Sequence, residues 1–311
     1  MRRFPGCYLR NFERASGILL NCGIFAWIAF GSSSPVSAQT PDSLPPNGDL
    51  GILIAAALPD APLPQANTGT AGSIQSEQPE VTLRSVPLNA LKDQAAIWTS
   101  PVRLREKDFA WLVPLGLAVA VTITVDHQTL STEVPNDTSF NHNNVLASDA
   151  LTGMFVAAPV LLLGKGEIQH RARPRETGIL GGEALVDGLI VDEGMKLIFL
   201  RERPAVDSAK GRFFQTSVGT DSSFPSTHSV LSWSSAAVMA DEYPAWWQQI
   251  GIYSLATGVS ITRVLGREHF PGDVLVGSAV GWMIGHYVHR RHQRVDPRND
   301  EPSDWHPSAA Q

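Results

Sequence analysis

The sequence predicts an all-α fold. Six stretches between residues 109 and 289 have helical length and apolar residues at helical spacing. No run alternates with period two for long enough to suggest a sheet. Helix punctuation agrees: Pro225-Ser226 and Phe270-Pro271 read as helix starts, with a capping Ser in the first and a Pro near the first helical position in the second. A six-helix bundle follows, running from 95 to 294.

The elements follow in chain order. Arg2, Arg3, Arg10 and Arg14 precede an apolar stretch from Gly17 to Phe30, and small residues then lead to Val36-Ser37-Ala38. A basic region, an apolar region and a small-residue cleavage site are the parts of a secretory signal, so 1–38 reads as a signal segment. Residues 39–94 are rich in Pro, Gly, Ser, Thr, Asn and Gln, and their prolines break any sustained periodicity. They read as a disordered linker. The helix candidates are Phe109 to Val125, Asp149 to Gly164, Glu176 to Leu200, Ser226 to Asp241, Ala245 to Leu265 and Pro271 to His289. The polar, Pro-containing stretch 295–311 reads as a disordered tail.

Composition narrows the function classes. The chain has 311 residues, 17% of them charged, and a formal net charge of −6. That acidic balance argues against nucleic acid as a partner, which would need a basic face. The two cysteines, Cys7 and Cys22, both fall in the signal segment and form no C-x-x-C pair. A thiolate metal site, a redox dithiol and a disulfide framework are all unsupported.

Three clusters carry chemistry. Lys196 is followed, after six residues, by Arg203-Pro204. Phe224-Pro225-Ser226-Thr227-His228 forms the second. Thr262-Arg263, five residues, His269, three residues and Asp273 form the third. Each has a bland reading alone. Basic residues near a helix end answer the helix dipole. Ser226 can be a plain N-cap. Asp273 in a first turn also serves the dipole. Together they supply two histidines, an acid to orient one of them, three strong cations and a helix N-terminus. A carboxylate on one imidazole nitrogen leaves the other free to attack. Helix amides and arginine forks suit phosphate oxygens. The inventory fits phosphoryl transfer, which is mostly positioning and charge neutralisation. The cations can do the neutralising without a metal, and the residues lack zinc-motif spacings.

In order and spacing these clusters resemble the type-2 phosphatidic acid phosphatase superfamily, which includes the vanadium haloperoxidases and bacterial class A acid phosphatases. The pattern is K-x6-R-P, P-S-G-H and S-R-x5-H-x3-D. It is matched at Lys196, Arg203, Pro204, Pro225, Ser226, His228, Arg263, His269 and Asp273, over about a quarter of the chain. Thr227 stands for Gly, adding a side chain beside the phosphate, and Thr262 stands for Ser. The resemblance implies that His269 is the nucleophile, that Asp273 orients it, and that His228 is general acid and then base. It implies that Lys196, Arg203, Ser226, the Thr227 amide and Arg263 hold the phosphate. It implies a helical bundle and a metal-independent phosphatase without cofactor, acting on a phosphorylated lipid, polyprenyl pyrophosphate or a small phosphomonoester through a phosphohistidine. A vanadate-dependent haloperoxidase and a non-catalytic phospholipid-binding protein are the alternative functions for the same pocket.

The remaining polar residues near these motifs have plainer readings. Arg267 and Glu268 read as a solvated loop, and Glu193 as exposed or paired with Lys196. His286, His289 and His292, beside Arg290 and Arg291, read as a basic helix end rather than a metal site. Only Phe109 to Val125 approaches spanning length without a charge. If all six helices span, Arg103, Arg105, Lys107, Lys165, Arg171, Arg173, Arg175, Arg290, Arg291 and Arg294 fall on one side, and the motifs on the other. With the signal, this predicts an exported, membrane-associated protein, periplasmic or at the inner membrane, with an extracytoplasmic site. The signal places the start of the helical domain outside and the charge pattern places it inside, so one of these premises must give.

Overall fold

A computed structural model describes residues 82–292. The expected signal segment, linker residues 39–81 and the tail lie outside the described residues. Among the described residues there are seven α-helices and no strand: α1 Val86–Thr99, α2 Phe109–Gln128, α3 Thr138–Gln169, α4 Ala172–Phe199, α5 Thr227–Glu242, α6 Trp246–Leu265 and α7 Pro271–His292. The six expected helices are all present, and α1 precedes them.

The differences have local causes. The residues of α1 were expected to be mostly linker because Pro87 reads as a breaker. Pro87 sits in the first turn, where a helix needs no N–H from that residue. The apolar Ala90 and the acid Asp93 then face inward. Helix α3 begins before the expected Asp149 because the Asp137 side chain accepts from the Phe140 amide at 2.8 Å, a cap that starts the helix ahead of its apolar part.

Helix α5 lies at the centre, against α3, α4, α6 and α7. Its small residues make this possible: Ser229, Ser232, Ser234, Ser235, Ala236, Ala237 and Ala240 are all buried. On α7, Gly277, Gly281 and Gly285 face α5, and a Cβ on Gly281 or Gly285 would strike the Val230 and Ser234 carbonyls. The two backbones are therefore as close as glycine permits. The buried hydroxyls find one another. Ser260 of α6 lies 3.0 Å from Ser229 of α5 and 2.9 Å from Ser278 of α7. Apolar packing fills the rest. Ile179, Leu180, Ala184 and Val191 of α4 meet Val238, Ile284 and Val288, while Phe155 of α3 meets Trp233, Tyr253 and Val259.

Helix α2 packs on α7 at the edge of the bundle. The segment Glu106–Glu133 has a mean hydropathy of 1.8 and none of its apolar window is buried. In Thr138–Gln169, also at 1.8, 22% of the window is buried. By length and composition, these two helices can cross a membrane.

Candidate functional site

The N-termini of α5 and α7 meet, and the Ser226 amide donates to the Asp273 carbonyl at 3.2 Å. The first amides of a helix have no partner within it, so α5 points free donors at this junction. The long connection from α4 to α5 closes over it. Phe199 at the end of α4 and Phe213 and Phe224 of this connection form an edge-to-face wall, and the Phe224–Pro225 peptide bond is cis.

His269, just before α7, is almost fully buried. Its Nδ1 lies 2.8 Å from the Ser223 carbonyl oxygen, which can only accept. That fixes the proton on Nδ1 and leaves Nε2 with a lone pair and no hydrogen-bond partner among the described residues. Burial and the nearby Arg263 and Arg203 charges hold the imidazole pKa below its usual range, so the ring is neutral at neutral pH. Asp273 lies beside it. Its Oδ2 stands 3.8 Å from Nδ1, beyond hydrogen-bond reach. It instead accepts from the Ser223 hydroxyl and, at 2.8 Å, from the Phe270 amide. Asp273 thus holds the Ser223 segment whose carbonyl meets His269, in addition to lying beside the imidazole itself.

The other oxygen of Asp273 is held by Arg201. Arg201 is buried, with Nη1 2.6 Å from Asp273 Oδ1 and Nη2 2.8 Å from Asp126 Oδ2 of α2. Phe213 and Phe270 lie against its guanidinium at 4.6 and 4.2 Å. A buried guanidinium needs such pairing on every side.

The cations are joined by carboxylates. Glu268 Oε2 lies 3.4 Å from Arg203 Nη1 and 3.5 Å from Arg263 Nη2. Arg263 Nη1 is 3.1 Å from Asp149 Oδ1, and the same oxygen is 3.0 Å from His228 Nε2. Arg203, Arg263 and His228 thus form one line of contacts beside His269. Lys196 meets Asp192 at 3.0 Å, Glu193 at 3.1 Å and the Thr227 hydroxyl at 2.5 Å. Thr227 donates in turn to Asp192 at 2.7 Å. The side chain that replaces glycine here ties α5 to Lys196 of α4.

All eight residues singled out from sequence, His269, His228, Asp273, Lys196, Arg203, Ser226, Thr227 and Arg263, come together at this junction. Ser226 precedes α5 as expected, but its hydroxyl makes no cap. Ser226 Oγ and Arg263 Nε are buried donors without a hydrogen-bond partner among the described residues. The sequence reading missed Asp149, Ser223, Arg201 and Asp192 and placed Glu268 in a solvated loop. Asp192 is one of several acids on α4, and no spacing singles it out. Arg267 does not face the site: it donates to the Leu130 and Val134 carbonyls at 2.6 and 3.0 Å.

His228 is half-buried in its surroundings. Burial, helped by Arg263 and His269, pushes its pKa down to about 4, while Asp149 favours the charged form.

Residues 178–296 match the family model of the PAP2 superfamily, so this part of the chain carries that family's pattern. The match contains every motif position from Lys196 to Asp273. The chain is similar to a lipid A 1-phosphatase from Porphyromonas gingivalis, with 29% identity over 106 residues, covering 33% of this chain and 21% of that protein. The match thus spans about a fifth of that relative's length. Among solved structures, the crystal structure of the first transmembrane PAP2 type phosphatidylglycerolphosphate phosphatase from Bacillus subtilis is similar at 18% identity and a TM-score of 0.42, covering 69% of this chain and 98% of that one.

Proposed function

We propose that the protein is a metal-independent phosphatase acting on phosphorylated lipids through a phosphohistidine. The observation that carries this is the His269 imidazole, held at Nδ1 with Nε2 free, beside an arginine pair and a helix N-terminus. Ser226 Oγ, Arg263 Nε and the first α5 amides are donors that phosphate oxygens would satisfy.

His269 Nε2 attacks phosphorus, and the bond from phosphorus to the leaving oxygen breaks. His228 gives its proton to that oxygen. Water then attacks the phosphohistidine, His228 takes a proton from it, and phosphate leaves with His269 restored. In the free site His228 is neutral at neutral pH. A bound phosphate dianion adds negative charge beside it and, with Asp149, favours the imidazolium that the first step needs.

A lipid substrate is supported by the PAP2 match and by the phosphatase similar to this chain. It is also supported by α2 and α3, whose apolar surfaces suit a bilayer. Within that class, phosphatidate-like lipids and polyprenyl pyrophosphate are the leading candidates. The site faces the extracytoplasmic side in this proposal, in keeping with the distribution of Lys and Arg along the chain.

The test is phosphate release from phosphatidate, a polyprenyl pyrophosphate and a soluble monoester, with chelator present. We expect hydrolysis of at least one lipid substrate, and its loss in His269→Ala with folding intact. Activity that survives the substitution sinks the mechanism.

A further inference from the structure

A second polar cluster lies midway along α4. Glu183 and Asp187, one turn apart on α4, lie near Asp93 of α1 and His292 of α7. Both α4 acids and Asp93 are fully buried in the fold, at 1%, 0% and 0% exposure. His292 Nε2 is 2.7 Å from Asp93 Oδ2 and 3.2 Å from Glu183 Oε1. One donor atom each from Asp93, Glu183 and His292 lie within 4.8 Å of one another. Glu183 precedes Lys196 by 13 residues, which is about 20 Å along a helix, so the cluster is separate from the phosphate site.

The outer atoms of this cluster are fastened. Tyr287 OH donates to Asp93 Oδ1 at 3.1 Å, and Arg291 Nε lies 3.2 Å from the same oxygen. Asn89 donates to Glu183 Oε2 at 3.4 Å, and Gln94 to Asp187 Oδ1 at 2.9 Å. The other oxygens are left. Glu183 Oε1 and Asp187 Oδ2 are buried and accept no hydrogen bond among the described residues. Three buried carboxylates thus face one arginine and one imidazole, a poor balance in a low dielectric.

We propose that Asp93, Glu183 and His292 form a binding site for one first-row divalent cation, with Zn²⁺ as the probe. Two carboxylate oxygens and an imidazole nitrogen are a mixed donor set of the kind that takes zinc or manganese, whereas calcium takes oxygen alone. On binding, His292 Nε2 gives up its proton to solvent and its lone pair to the metal. A dication then replaces a proton, and the buried carboxylates gain one further positive charge. The fixed outer oxygens hold the ligands in place as hydrogen-bonded carboxylates do around metals. The cation pins α1 to α4 and α7 and takes no part in the reaction.

The experiment uses the full chain in detergent, stripped with chelator, dialysed and titrated with Zn²⁺ by calorimetry. We expect one zinc per chain, a binding enthalpy that varies with the buffer because a proton is released, and a raised Tm. Glu183→Gln and His292→Ala should each weaken zinc affinity about tenfold or more. Phosphate release should stay within about twofold of the parent in both. His292 lies in the last turn of α7 and alanine suits a helix, so that variant reports even if Glu183→Gln fails to fold. No binding of Zn²⁺ by the parent chain, or undiminished binding in the folded variants, overturns the proposal.

Discussion

Glu268 is the residue whose removal should speed substrate capture. Its carboxylate occupies the space between Arg203 and Arg263, the two guanidinium groups proposed to hold phosphate. A substrate anion must compete with it. Glu268→Gln should lower KM for the phosphorylated substrate by a few fold while kcat changes little, since Glu268 is partly exposed and its ion pairs are screened. Steady-state kinetics decide this, and an unchanged KM would remove Glu268 from phosphate binding. Asp149 gives a second expectation, in pH. Its charge favours the His228 imidazolium, so Asp149→Asn lowers the pKa of the proposed acid. The protonated form is then lost at lower pH, and the alkaline limb of the kcat profile should move toward acid. A lower kcat with an unmoved limb would mean that Asp149 only holds Arg263. These residues also mark how far the sequence could be read. His269, His228 and the cations stood out through fixed spacing within short segments. Asp149 lies 114 positions before Arg263, and Arg201 lies 72 before Asp273. No local spacing announces partners brought together only by packing.

Between elements, the critical contact is α5 against α7. Those two helices carry Thr227 and His228 on one side and Asp273 on the other, with Ser226 just ahead of α5 and His269 just ahead of α7. A side chain at Gly281 would meet the Val230 carbonyl backbone, which cannot yield as a flexible side chain would. Gly281→Leu should cost about 1–3 kcal/mol of stability and separate the two halves of the site. A thermal melt together with kcat/KM tests this, and unchanged values in both would show that the interface tolerates bulk. The helices themselves were legible where apolar spacing was sustained, as in α2, α4, α6 and α7. Helix α1 was hidden because Pro87 stands in its first turn, and its inward face is held by Asp93 and Gln94 as much as by apolar residues. The start of α3 was hidden because Asn141, Asn143 and Asn144 carry no apolar signal and the Asp137 cap does the work of starting it.

At the scale of the whole molecule, the apolar surface is uneven. Phe109, Trp111, Val113, Leu117 and Val121 of α2 are exposed, as are Met154, Val160 and Leu161 of α3. The full chain should therefore float with phospholipid vesicles and stay with them at high salt, because burial of apolar area is not screened by ions. Release by salt alone would contradict a membrane-inserted arrangement. The Arg201 bridge gives this surface a further meaning. A single guanidinium joins Asp126, on the helix whose apolar window has no fully buried residue, to Asp273, which lies beside the proposed nucleophile. The apolar helix α2 and His269 are thus two ends of one lever only a few bonds long. Thinning or thickening the bilayer tilts a mismatched helix, and through Arg201 such a tilt would be felt as a change in turnover rather than in anchorage.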